Sequence, residues 1–157
     1  MRKPWTRNLK SSCLTGSLLI AGILPFQAHA ALGEPEASVA TDVQQFQASV
    51  KSTLHASYRV HEIQLPSGTL LREFAVPGGN VFAVAWKGPA VPNLRQALGQ
   101  YFDVYVGAAK LKRGGRTHIE VHQDDLIVQS GGHMRAFSGR AYLAQAIPAG
   151  TSTAELH

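Results

Sequence analysis

The stretch from residue 57 to residue 89 has the most regular pattern of apolar and polar positions in the chain. It predicts three short strands separated by turns at residues 66–68 and 77–80, where Gly and Asn accept the left-handed backbone of a tight reversal. The third strand, residues 81–86, is apolar at every position, which is typical of a strand buried on both faces inside a sheet. Alternation divides its side chains between two faces: Phe82, Val84 and Trp86 on one, and Val81, Ala83 and Ala85 on the other.

Two further segments have the apolar spacing of helices. In residues 38–54 the apolar side chains recur every three or four positions, which predicts a helix with one narrow buried stripe. Residues 93–109 show the same spacing, and Asn93 is a natural N-cap for this second helix. Gly99 weakens the interior of this helix by ~1 kcal/mol relative to Ala. We explain the presence of a glycine there by a close approach of the second helix to Ala83 and Ala85 on the third strand.

The remaining strands are less regular. Residues 58–65 break the alternation, which a β-bulge near His61 or a half-buried edge position would explain. Residues 117–123 and 126–129 predict two more strands, and residues 140–146 fit a last strand or a short helix. Consecutive short strands joined by tight turns favour an antiparallel sheet. We therefore predict an α+β domain in the order α-β-β-β-α-β-β: an antiparallel sheet of five to six strands with the helices packed on one face.

The first thirty residues have the three-part form of a secretory signal. A basic segment precedes an apolar run, and small residues at Ala28 and Ala30 predict cleavage after Ala30. The apolar run is shorter than the ~20 residues that span a bilayer, so we expect no transmembrane anchor after cleavage; the alternative is a retained N-terminal anchor. We predict a periplasmic or secreted protein with a signal peptide at 1–30, a flexible leader at 31–37, one domain at 38–148 and a C-terminal tail at 149–157.

Removal of this signal changes what the charge and cysteine content imply. Four of the 15 Lys and Arg residues lie in it, which leaves 11 basic residues against 10 acidic ones in the mature chain. A chain this close to neutral is not expected to bind nucleic acid. The single cysteine, Cys13, is also removed, so the mature chain has no disulfide and no thiolate chemistry.

A row of three polar side chains is the sharpest candidate for chemistry. On a strand, His118, Glu120 and His122 project to one face, and two imidazoles with a carboxylate are good ligands for Zn²⁺ or iron. The simpler interpretation is a strand that turns Ile119 and Val121 towards the core and the polar row towards water. No cofactor-binding motif is present in the sequence, so we expect no cofactor. The alternative is Zn²⁺ bound by this row.

A glycine-rich segment at residues 130–140 is the second candidate. Its backbone N–H groups and basic side chains could form an anion- or ligand-binding pocket, although phosphate-loop spacing is absent. The competing interpretation is a structural loop that needs glycine dihedrals. No motif assembles a Ser-His-acid set around Ser130 or Ser138. The candidate binding residues are Gly131, Gly132, His133, Arg135 and Arg140.

Three blocks of sequence, at residues 60–74, 81–102 and 128–143, together resemble the bacterial domain of unknown function family numbered 2844. The resemblance covers essentially the whole mature chain. It implies export and a self-contained domain, and it supplies no catalytic residues, because the family has no established activity.

The chain contains no complete catalytic constellation, so we expect a non-catalytic binding or accessory module of the cell envelope rather than an enzyme. Its partner would be an envelope protein or a small ligand. The alternative is a small metal- or anion-dependent enzyme that uses the row of His118, Glu120 and His122 or the segment from Ser130 to Arg140.

Overall fold

The computed structural model describes residues 31–111 and 118–157. In this part of the chain, seven strands form one antiparallel sheet in the order β1-β2-β3-β4-β7-β6-β5. The predicted α+β class with an antiparallel sheet is confirmed, and the strand count is seven rather than five to six. The strands are β1 (Ser49–Leu54), β2 (Arg59–Gln64), β3 (Leu70–Ala75), β4 (Val81–Gly88), β5 (His118–Gln123), β6 (Leu126–His133) and β7 (Ala136–Leu143).

The helices lie on one face of this sheet, where they form the main hydrophobic core. Val39, Leu98 and Tyr105 from the helices pack in one cluster with Val84 and Trp86 of β4. We call this side the helix face and the opposite side the groove face. The helices are α1 (Val39–Gln45), α2 (Leu94–Leu98) and α3 (Phe102–Leu111).

The first predicted helix is wrong in its second half. α1 ends at Gln45, and the residues that follow form β1 at the edge of the sheet, paired in register with β2. Val50 and Leu54, which the pattern placed on a buried stripe, are 44% and 63% exposed. A separation of four residues puts two side chains on one side of either a helix or a strand, so the spacing alone could not tell the two apart.

The bulge lies in a different place from the one that the sequence suggested. β2 pairs without interruption to β1 and β3, and Val60 and Ile63 are both buried because both faces of β2 are covered. The irregularity occurs between β3 and β4, where Phe82 is the extra residue. It turns Phe82 to the groove face and leaves Val81 on the helix face, which corrects the predicted division of β4. The burial of β4 on both faces is confirmed.

Gly99 has a different neighbour from the predicted one. It ends α2 with φ 51°, and a Cβ added there would lie 2.4 Å from the Cβ of Ala31. Ala83 and Ala85 are on the groove face, away from the helices. The predicted N-cap is confirmed, since the Asn93 side chain accepts a hydrogen bond from the backbone N–H of Gln96 at 3.4 Å.

Both ends of the described chain are packed against the sheet, including the segments predicted as a flexible leader and a tail. Ala31 and Leu32 are fully buried, and the N–H of Gly33 donates to the carbonyl of Val81 at 2.8 Å. At the other end, residues 147–157 lie on the groove face and bury Leu156 completely. We call this second segment the C-terminal strap. The predicted signal peptide, with its cleavage after Ala30, lies outside the described residues, and none of the described helices is long and apolar enough to cross a membrane.

Candidate functional site

The glycine-rich segment forms a hairpin rather than a loop. Gly131 and Gly132 of β6 pair with β7, and β7 lies in the middle of the sheet between β4 and β6. Gly139 is required here because a Cβ at this position would come within 2.3 Å of the Trp86 indole. Glycine signals turns in most sequences, and in this strand it makes room for a large neighbour instead.

A groove of about 670 Å³ lies on the groove face, between the sheet and the C-terminal strap. Its floor includes the backbone of β6 at Gly131 and Gly132 and of β7 at Gly139, where no side chain fills the space. Among the described residues, its lining contains no Asp or Glu. We call it the basic groove after its five basic lining residues, Arg72, Lys87, His118, Arg140 and His157.

Two arginines of the basic groove are held in place on both sides of Ala85. Arg72 donates from Nε to Glu62 at 2.9 Å and from Nη1 to the carbonyl of His157 at 2.7 Å. Arg140 does the same with Gln129 at 2.8 Å and the carbonyl of Thr153 at 2.6 Å. A guanidinium has five N–H donors, so each arginine can hold the C-terminal strap and still bind an anion.

The row of His118, Glu120 and His122 is on the predicted face of β5, and Val121 is buried on the other. The structure brings His122 and Glu120 together: Nε2 of His122 lies 3.0 Å from Glu120 Oε1. Glu120 also accepts from Gln129 Nε2 at 3.1 Å. No group of three or more His, Cys, Asp or Glu residues within 31–111 and 118–157 is placed to hold a metal ion.

The two predicted sites meet in part at the basic groove. His118 from the predicted metal row lines the groove together with Gly131, Gly132 and Arg140 from the predicted anion loop. His133 and Arg135 lie at the far end of the β6–β7 hairpin and are not among its lining residues. The shared location depends on strand register, which pairs His118 directly with Gly131.

A second site, which the sequence did not reveal, lies on the helix face. A cleft of about 470 Å³ opens between α1, the edge strand β1 and its neighbour β2; we call it the α1 cleft. Within it, the Ser52 hydroxyl lies 2.8 Å from Nδ1 of His61, and Nε2 of His61 lies 3.1 Å from Oε1 of Glu36. Ser52 and His61 are directly opposite each other on β1 and β2. Three residues far apart in sequence thus form one hydrogen-bonded chain.

The surroundings of Glu36 favour its charged form. Burial opposes ionisation, but the backbone N–H of Gly78, which donates to Oε2 at 2.8 Å, and the Arg59 guanidinium, bonded to Oε1, outweigh it. With a smaller contribution from His61, they hold the pKa of Glu36 below its ordinary value. An ionised Glu36 fixes the proton of His61 on Nε2 and leaves Nδ1 to accept from the Ser52 hydroxyl.

Burial lowers the pKa of His61 and raises the pKa of Glu73, the carboxyl beside it. Desolvation lowers the pKa of His61 and outweighs the attraction of Glu36, so the ring is neutral at pH 7. Glu73, opposite His61 on β3, is fully buried, and neither of its oxygens has a hydrogen-bond partner among the described residues. Burial, followed by the charge of Asp42 on α1, raises the pKa of Glu73 well above its ordinary value.

The structure defines an α+β domain with a seven-stranded antiparallel sheet, helices on one face and a basic groove on the other. Residues 28–156 match the model of the family described as "Protein of unknown function (DUF2844)", and the chain belongs to that family. This confirms the resemblance seen in three sequence blocks. No curated protein and no solved structure matches the chain.

Proposed function

We propose that the protein is an exported envelope protein whose domain binds a carboxylate- or phosphate-bearing ligand in the basic groove, as a binding or accessory module. The single observation that carries this proposal is the composition of the groove: five basic residues line it, and none of its lining residues among those described is acidic. A mature chain close to neutral has no general excess of basic residues to account for such a cluster.

The groove is also suited to binding because its arginines are already ordered. Each is held by a neighbouring side chain and by a carbonyl of the C-terminal strap. Ordering a long side chain costs about 0.5–1.5 kcal/mol when a ligand must do it, and here the fold has done so beforehand. Planar guanidinium groups match carboxylates and phosphates in two parallel hydrogen bonds.

Export rests on the form of the first thirty residues and on the resemblance to exported proteins. The protein should be expressed from its full chain in a Gram-negative host and purified from the periplasm or the medium. N-terminal sequencing is expected to begin at Ala31. A product that keeps Met1 and sediments with the membranes would show a retained anchor instead.

Calorimetric titration of that preparation tests the ligand class. Inorganic pyrophosphate and a short oligogalacturonate supply phosphate and carboxylate groups separately. We expect saturable binding of at least one, weakened by salt and lost in the double variant Lys87→Gln with His118→Gln. Both side chains are exposed, so this variant should keep the wild-type melting temperature.

Lys51→Gln is the matched control. Lys51 is also exposed, but it lies on β1, outside the groove lining. Equal losses in Lys51→Gln and in the groove variant would mean that binding follows overall charge. The absence of heat with both ligands would overturn the proposal.

A further inference from the structure

The α1 cleft combines the parts of a nucleophilic site in one place. An exposed hydroxyl, an imidazole and a carboxylate are linked in series, with separations of 2.8 Å and 3.1 Å. These are the nucleophile–base and base–orienting contacts that covalent catalysis by serine requires. All three residues line the same cleft. In serine proteases, Nε2 of the histidine faces the serine and Nδ1 faces the carboxylate. Here Nδ1 faces Ser52 and Nε2 faces Glu36. Either nitrogen of a neutral imidazole can act as the base when the other carries the proton.

We propose that the α1 cleft is an acyl-transfer site that hydrolyses carboxylic esters, with Ser52 as nucleophile, His61 as general base and Glu36 as the positioning residue. This activity is independent of binding in the basic groove, which lies on the other face of the sheet. The lining of the cleft indicates an aliphatic acyl group, since its apolar walls include Val39, Val43 and Val50.

Solvent access differs among the three residues in the way this chemistry requires. Ser52 is exposed on the edge strand, where an ester can reach it. His61 and Glu36 are buried, at 7% and 9% exposure, so water does not compete strongly for their mutual hydrogen bond. Burial keeps His61 in the basic form that can take a proton at pH 7.

The proposed reaction has two steps. The Ser52 Oγ forms a bond to the ester carbonyl carbon, and its proton passes to Nδ1 of His61. The bond to the alcohol then breaks, and the alcohol leaves with the proton from His61. Water next attacks the acyl-serine and gives a proton to His61, which returns it to Ser52 as the carboxylic acid leaves.

Two charged groups assist the transition state. Glu36 accepts from Nε2 of His61 and stabilises the imidazolium that forms. Arg59, which lines the same cleft and is bonded to Glu36, supplies a positive charge for the oxyanion. The groups that face His61 are Ser52 on β1, Arg59 on its own strand, Glu36 before α1 and Glu73 on β3.

A covalent probe gives the most direct test. The purified full-chain product is incubated with an alkyl fluorophosphonate, which phosphonylates an activated serine and releases fluoride, and is then analysed by intact and peptide mass spectrometry. We expect one adduct, on Ser52. Ser49→Ala, which changes an exposed serine on the same strand outside the cleft lining, should be labelled like wild type, and Ser52→Ala should not be labelled.

Turnover supplies the second readout. Hydrolysis of p-nitrophenyl butyrate should fall by at least ~100-fold in Ser52→Ala. Glu36→Gln should slow the reaction and move its acid limb to lower pH, because the carboxylate that raises the pKa of His61 is gone. A purely structural serine–histidine bond would give folded protein with no adduct on Ser52, or equal turnover in wild type and Ser52→Ala. Either result overturns the proposal.

Discussion

The two faces of the sheet each carry a row of polar residues across neighbouring strands, and the rows differ in their access to solvent. On the groove face, Glu62, Arg72, Arg140 and Gln129 are half-buried and bonded to one another in pairs. On the helix face, the row begins with the exposed Ser52 and continues inward to His61 and the fully buried Glu73.

This comparison shows how one architecture can support two kinds of site. Half-buried charges that are paired present ordered donors to a ligand. Burial removes the stabilisation that water gives to charge and so raises the pKa of Glu73, with a further rise from the charge of Asp42. At Glu36 the hydrogen bonds from Gly78 and Arg59 outweigh burial and lower the pKa. Carboxyls with opposite shifts in one region are typical of acid–base chemistry.

The largest expected effect comes from a substitution in the main core. It tests whether packing on the helix face provides most of the stability of the domain. Leu98 is fully buried in the main core, so Leu98→Ala should lower the free energy of unfolding by about 2–5 kcal/mol. Val104→Ala, on an exposed position of α3, serves as the control and should change it by less than about 0.5 kcal/mol. Urea denaturation measures both. Equal effects would mean that the helices contribute little to the core.

The next largest effect is the pH dependence of stability that the buried carboxyl of Glu73 produces. Glu73 keeps its proton in the folded state at pH values where the unfolded chain loses it. Its contribution to stability is therefore fully present below the ordinary pKa and is lost as the pH rises towards the folded pKa, at about 1.4 kcal/mol per pH unit.

Glu73→Gln removes this titration while keeping the shape of the side chain. Relative to wild type, the variant should become more stable as the pH is raised from 4 to 8, as followed by urea denaturation at each pH. His61 on β2 and Asp42 on α1 also face this position, so the difference between the two proteins, rather than either curve alone, isolates Glu73. A difference that does not change with pH would show that folding does not raise the pKa of Glu73.

The smallest expected effect distinguishes a metal site from a polar strand face on β5. A tight zinc site would raise stability by ~2.7 kcal/mol at a hundredfold excess over Kd. Since Glu120 already hydrogen-bonds to His122 and Gln129, we expect no saturable rise in melting temperature with Zn²⁺. A rise that is lost in the double variant His118→Ala with His122→Ala would instead establish the metal-dependent alternative.

Local signals predicted the parts of the fold that depend on local chemistry. The turns at residues 66–68 and 77–80 and the N-cap at Asn93 follow from backbone preferences within a few residues. The burial of β4 follows from its unbroken apolar run, because no face of that strand could meet water at low cost. The same reasoning predicted the polar and apolar faces of β5.

The remaining features were decided by partners distant in the chain. Residues 49–54 became a strand because β2 offers an edge with which they pair, and β7 became a central strand because Gly139 leaves room for Trp86. The α1 cleft arises from register: Ser52, His61 and Glu73 are nine and twelve residues apart, and only strand pairing aligns them.

The amino-acid sequence on its own predicted the turns, the Asn93 cap and four lining residues of the basic groove, and it gave no signal for the α1 cleft; the four residues are His118, Gly131, Gly132 and Arg140. The tertiary structure decided which residues meet: it joined His118 to the glycine-rich hairpin, left His133 and Arg135 apart, and placed Glu36 against His61. The physical reason is that turns, caps and alternation depend on neighbouring residues, whereas register, burial and pKa depend on groups brought together only when the sheet closes.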